Sequence, residues 1–220
     1  MAAPTFHKMR LVAPATATSV TITTPEGASA GDTLYIGIKV EGSEVTITAP
    51  VGWTKIGQKR TTANSGWQAA IFELPNWNGS TTTYKIEWGG GSHGYNAIIS
   101  AFTGTDTQTP RNITGSEGIK ENASSNNIAV QGYTTTVKEC LPVTWAWNSA
   151  GLVVAPAEGW TEDGDQTDGP ETAHKTTALP IAETLATVTH KFSSGTNVSL
   201  TIGFALQPPQ PTGQPNMMVI

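Results

Sequence analysis

Charge is scarce in this 220-residue chain. Asp, Glu, Lys and Arg make up 13% of it, against roughly 25% in an average globular protein. Long helices laced with Lys–Glu pairs are therefore excluded. Basic residues are the scarcer sign: 12 Lys and Arg face 17 Asp and Glu, for a net charge of −5. The densest basic stretches, His7 to Arg10 and Lys55 to Arg60, are short and diluted. A phosphate-binding footprint needs clustered Lys and Arg, so nucleic acid is not an expected partner. Cysteine occurs once, at Cys140, which removes any intrachain disulfide or cysteine-based zinc site. Cys140 alternates with apolar neighbours and is expected to be a buried, inert thiol. No run approaches the ~20 apolar residues of a membrane helix, so no membrane insertion is expected. The start, MAAPTFHKMRLVAPATATS, lacks the ~7–15-residue apolar core of a signal peptide. The expectation is synthesis in a host cytoplasm.

What the chain does have is the same pattern twice. Residues 31–55 read GDTLYIGIKVEGSEVTITAPVGWTK, and 138–162 read KECLPVTWAWNSAGLVVAPAEGWTE. Leu34 matches Leu141 and Trp53 matches Trp160, ELP at 73–75 recurs as ALP at 178–180, and Phe102 recurs as Phe204. Between these landmarks lie short segments of period-two alternation. Examples are SVTITT (19–24), TLYIGIKV (33–40), QAAIFEL (68–74) and TTYKIEW (82–88). Such alternation between Gly/Pro/Asn turns predicts strands. No amphipathic helix is predicted.

The expected fold is all-β: a jelly-roll-like antiparallel β-sandwich formed by two related halves. The expected organisation is an N-terminal arm (1–18), a single sandwich (19–206) with repeat halves at 19–106 and 127–206, and a Pro-rich C-terminal arm (207–220). A polar surface connection, 107–126, joins the halves. Facing the halves against each other buries both apolar faces at once. The arm ends in Met217, Met218, Val219 and Ile220, beyond Pro208, Pro209 and Pro211. These seven residues are candidates for docking on a partner subunit or a neighbouring copy.

Chemistry-bearing constellations are few. His7, His93, His174 and His190 are scattered. No G-x-S-x-G elbow, P-loop or H-E-x-x-H is present. Glu73 and Glu87 sit on strands and would need to face each other across a cleft to act as a glycosidase pair. The stretch TEDGDQTDGPE groups Glu162, Asp163, Asp165, Asp168 and Glu171, a solvated acidic loop or a loose calcium site without EF-hand spacing. Four Asn-x-Ser/Thr sequons, at Asn78, Asn112, Asn122 and Asn197, match chance in so Ser/Thr-rich a chain. No catalytic residue, metal or cofactor is assigned. Of seven tryptophans, Trp53 and Trp160 in the repeated turn are expected core plugs, and Trp145 and Trp147 core or interface. Trp67, Trp77 and Tyr95 are candidates for a glycan platform.

GD-x-L at 31–34, ITAPVGW at 47–53 and Gly-Thr-Asp at 104–106 resemble a recurrent β-sandwich module of bacteriophage virion and tail-associated proteins. The second copy departs, with Lys138-Glu139 in place of Gly-Asp and an added residue in APAEGW. The resemblance implies a place on the virion surface and carries over no catalytic residue. The expected function is a non-enzymatic virion structural protein: a capsid decoration or minor head protein held by terminal arms. The implied partners are other capsid or tail subunits and further copies of the chain, with a trimer as one expected assembly. The alternative is a carbohydrate-binding adsorption module of a tail or fibre.

Overall fold

The computed structural model describes residues 2–42, 44–62, 66–113, 118–148, 154–165, 170–192 and 197–210. Every regular element among them is a strand. The first half contains β1 (Thr5–Ala17), β2 (Ser19–Thr23), β3 (Thr33–Glu41), β4 (Ile47–Thr48), β5 (Thr54–Arg60), β6 (Trp67–Leu74), β7 (Thr83–Trp88) and β8 (His93–Thr103). The second contains β9 (Lys120–Ser125), β10 (Asn127–Val130), β11 (Tyr133–Thr134), β12 (Leu141–Trp147), β13 (Val154–Ala155), β14 (Trp160–Asp165), β15 (Pro170–Lys175), β16 (Thr184–Leu185), β17 (Val188–Phe192) and β18 (Asn197–Leu206).

Strand order makes the duplication explicit. The first half forms a five-stranded sheet, β1-β8-β3-β6-β5, and a three-stranded sheet, β2-β7-β4. The second forms β9-β18-β12-β15-β14 and β10-β17-β13, the same two sheets with each strand replaced by its counterpart. Among the described residues, only the β11-β16 ribbon is extra. All pairings are antiparallel.

Each half closes its own jelly roll, rather than supplying one sheet of a shared sandwich. The reason is burial on two faces. Along β3 every residue from Thr33 to Val40 is buried. Leu34, Ile36, Ile38 and Val40 point towards β2-β7-β4, in a core with Val20, Ile22, Trp53, Tyr84 and Ile86. Tyr35 and its same-face neighbours point the other way. There the two five-stranded sheets meet, and Tyr35, Trp67, Ile71, Ile98 and Phe102 pack on Leu141, Val143, Trp145, Trp147, Ile202 and Phe204. The result is four layers, with the large sheets inside and the small sheets outside. Halves do face each other, as expected, but with surfaces additional to their own internal cores.

Three boundaries differ from expectation. Residues 5–17 form an edge strand on β8, so most of the supposed N-terminal arm is part of the sheet. Its alternation is obscured by Pro14 and by register irregularities between Phe6 and Lys8 and between Val12 and Ala15. The connection is not featureless: Arg111 bridges to Leu206, and Lys120–Ser125 is the edge strand equivalent to β1. At the C-terminus, Gln207 is buried and still bonded, its N–H donating to the Pro110 carbonyl (2.8 Å).

The repeat also carries a one-residue slip. Leu34 pairs with Leu74 in the first half, and the corresponding bridge in the second joins Cys140 to Leu179. The structural counterpart of Leu34 is therefore Cys140. Leu141 lies on the opposite face, in the core between the large sheets. A shift of one residue in a strand exchanges its faces. Phe102 and Phe204 share that central core, but Phe102 lies opposite Thr33 and Phe204 opposite Val143, so they are not register equivalents.

Candidate functional site

The repeated Gly-Trp turns are structural corners. In each, the Trp N–H donates to the carbonyl three residues earlier, Trp53 to Pro50 and Trp160 to Ala157 (both 3.1 Å). Gly52 and Gly159 adopt φ of 84° and 78°, the left-handed region that glycine enters without a Cβ clash. Trp53 is buried and meets Tyr84 edge-on at 4.9 Å. Trp160 is half-buried and meets His190 edge-on at 5.5 Å. The partners differ for a reason. Pro50 has no N–H, whereas the Ala157 N–H needs an acceptor and finds His190 Nδ1 at 3.0 Å. The proton of the neutral ring then sits on Nε2, 3.2 Å from Thr144 Oγ1. Burial holds the His190 pKa down at about 4.

The sequence motifs are likewise absorbed by the fold. Asp32 of GD-x-L accepts from the Ser29 N–H (2.9 Å) and pairs with His7 Nδ1 (2.8 Å). Glu73 is buried and takes both the Tyr35 hydroxyl (2.6 Å) and Arg111 Nε (2.8 Å) on one oxygen. Burial, with the Glu73 charge beside it, raises the Tyr35 phenol well above its usual range. Glu87 lies on the outer sheet instead, paired with Lys85 at 2.5 Å. The two glutamates thus belong to different layers and do not flank a cleft.

The acidic stretch is dispersed. Asp163 bonds His174 Nδ1 at 2.5 Å, yet burial pushes its carboxyl pKa up. Glu171 is buried on β15, and Asp168 and the Asp165 side chain lie outside the described residues. No three His, Cys, Asp or Glu side chains converge on a metal position among the described residues. Cys140 is buried, and burial pushes its thiol up to about 12. His93 opens β8 and is half-buried.

None of the three expected glycan-platform residues presents an open ring face. Trp67 is 1% exposed and lies in the core between the large sheets, with the Lys39 ammonium 5.6 Å from its ring centroid. Trp77 is 6% exposed. Tyr95 is half-buried against Trp88, with centroids 5.2 Å apart. Of the docking candidates, Pro208 is buried and Pro209 exposed. Pro211, Met217, Met218, Val219 and Ile220 lie outside the described residues.

A concave site does exist beside Trp77, lined in part by Thr48 to Val51 of ITAPVGW. An open groove of about 690 Å³ runs over the outer face of β4 and β7, walled by the Pro50-Val51 turn and the 76–81 loop. Trp77 pegs that loop to the body. Its N–H donates to the Asp32 carbonyl, its carbonyl accepts from Gly31, and its Nε1 donates to Thr81 (all 2.8 Å). The flanking Asn76 and Asn78 are consequently turned outwards and exposed. Asn76 holds φ at 50°, a conformation Asn tolerates better than most residues. Asn78 Oδ1 accepts from Ser80 N and Oγ (both 2.9 Å) and from Thr81 N (3.3 Å). That fixes its amide plane and leaves Nδ2 as an outward donor. Trp77 serves this site as the anchor of its neighbours and not through an exposed ring face.

Strand order defines the class: a duplicated jelly roll with its two large sheets packed together. No protein family, curated protein or solved structure matches the chain.

Proposed function

We propose that the chain is a non-enzymatic structural protein of a bacteriophage particle, a capsid decoration or minor head protein acting on the virion surface. The observation that carries this reading is the internal use of its reactive groups. Asp32, Glu73, Arg111, Asp163 and His190 are each bound to other parts of the fold, which suits a rigid body better than a reaction centre. The GD-x-L and P-x-GW resemblance supplies the phage context. Its partners are other virion subunits and further copies of itself, with the C-terminal segment beyond Gln210 as the attachment. The strand β1 is built into the sheet and is not available as a second arm. Purified chain should co-sediment with heads that lack it and form a homo-oligomer by light scattering. Failure to associate with heads, together with association with tails, overturns the decoration reading.

A second reading is favoured by one observation, the groove at Asn76–Asn78. On it the chain is an adsorption module that binds a host glycan.

A further inference from the structure

We infer that the groove over β4 and β7 is a binding site for a neutral oligosaccharide; this inference deepens the adsorption reading and rests on it. Three independent features meet there. The first is the concavity, whose volume of about 690 Å³ falls in the ~300–1,000 Å³ range of small-molecule sites. The second is Val51, fully exposed at one wall. A large apolar side chain held wholly in water at the lip of a groove offers a sugar's C–H face something to cover. The third is the pair of amides from Asn76 and Asn78, set outwards by the buried Trp77 between them.

The lining chemistry selects the ligand. Side-chain amides, with the hydroxyls of Thr48 and Thr83, can both donate and accept, which suits a ligand whose hydroxyls do the same. The only charges in the lining, Lys85 and Glu87, neutralise each other as an ion pair. Neither a polyanion nor a cation finds a complementary field. Asn78 is held before any ligand arrives, because its oxygen already serves three donors. Pre-organisation of this kind lowers the entropy cost of binding. At the equivalent turn of the second half Ala157 and Glu158 stand in place of Pro50 and Val51, so the apolar lip is not repeated there.

The test uses the full chain on a glycan array, followed by titration of hits by NMR. Asn78→Asp keeps the oxygen that orders the loop and replaces the outward donor by an acceptor. Val51→Ser changes only an exposed side chain. Each should weaken binding about tenfold, the loss expected for a neutral hydrogen bond or a small apolar contact, with an unchanged thermal midpoint. Shifts on titration should centre on Thr48, Val51, Asn76, Asn78 and Thr83. Absence of any hit, a preference for charged glycans, or equal binding by both variants overturns the inference. The decoration reading fails separately: heads that do not retain the chain sink it whatever the array shows. Retention by heads of a chain that binds no glycan sinks only the groove.

Discussion

Gly37 lies against the indole of Trp145 across the seam between the large sheets, so closely that a Cβ on Gly37 would sit 2.5 Å from the ring. The approach of the two sheets depends on the absence of one side chain. Gly37→Ala should destabilise the chain by about 1–3 kcal/mol, the usual cost of overfilling a packed core. Trp145→Phe in the same background should recover part of that loss. Urea denaturation of the two single variants and the double variant measures the coupling, and strict additivity would show that the contact is not the cause.

The Glu73–Arg111 pair ties the inter-half connection to β6. Removing one partner leaves a buried charge without its counterion, at a cost of about 3–5 kcal/mol. Arg111→Met should therefore cost more than Arg111→Met combined with Glu73→Gln, since the double variant has no orphaned charge. The comparison is made by denaturant midpoints at neutral pH. A double variant less stable than the single one contradicts the assignment.

His190 predicts a pH dependence of definite sign. Its folded pKa of about 4 lies below the ordinary 6.5, so the unfolded chain takes up the proton first as pH falls. The stabilisation is complete above about 6.5, erodes as pH drops, and is gone below about 4. The amount is about 3 kcal/mol at most. The raised pKa of Asp163 acts in the opposite direction, since the folded state then holds that proton more tightly. A variant that gives this position the residue of its register equivalent, Ile86, and the turn its proline, His190→Ile with Ala157→Pro, removes the His190 component without stranding the Ala157 N–H. Its stability should decline less than the wild type's between pH 6.5 and 4; parallel curves would rule out His190 as the source.

Gln58 stands in for a strand. Its Oε1 accepts from the Ile47 N–H (3.3 Å) and its Nε2 donates to the Val45 carbonyl (2.8 Å), so one side-chain amide satisfies the free edge of β4 as a neighbouring peptide would. Nε2 also reaches Gln68 Oε1 at 2.8 Å. Gln58→Met loses the acceptor for the Ile47 N–H as well as both donations and should cost about 1–3 kcal/mol, with faster amide hydrogen exchange at Ile47. Unaltered exchange there would mean that the edge is protected by something else.

Strands were legible in the sequence because β-branched residues alternate over SVTITT and TTYKIEW, and β2 and β7 have one buried face. Trp53 was legible as a core residue from its place after a turn glycine, but Trp160, expected to plug the core from the equivalent turn, is only half-buried. The four-layer arrangement was not legible. TLYIGIKV is buried on both faces, and alternation read from one face gives no account of Tyr35 and Gly37 on the other. Trp67 was misjudged for the same reason: at a strand end it looks like a rim residue, but that end is sealed by the opposing sheet. ITAPVGW supplies one wall of the groove, but the groove itself was not legible because its two amides are placed by Trp77's hydrogen bonds to Asp32 and Thr81, which are set by the tertiary fold.

Each roll is complete in its strands but not in its surface. The large sheet of either half carries an apolar outer face that only the other half covers, since Tyr35, Trp67 and Ile71 on one side lie against Trp145, Ile202 and Phe204 on the other. A chain divided within residues 107–118 should thus yield two fragments that bind each other, and a lone fragment should self-associate or aggregate; light scattering of the separate and mixed fragments reads the outcome. Two monomeric, soluble fragments would contradict it. The seam between the halves has the makeup of a subunit interface, and in this chain it serves as the centre of the molecule.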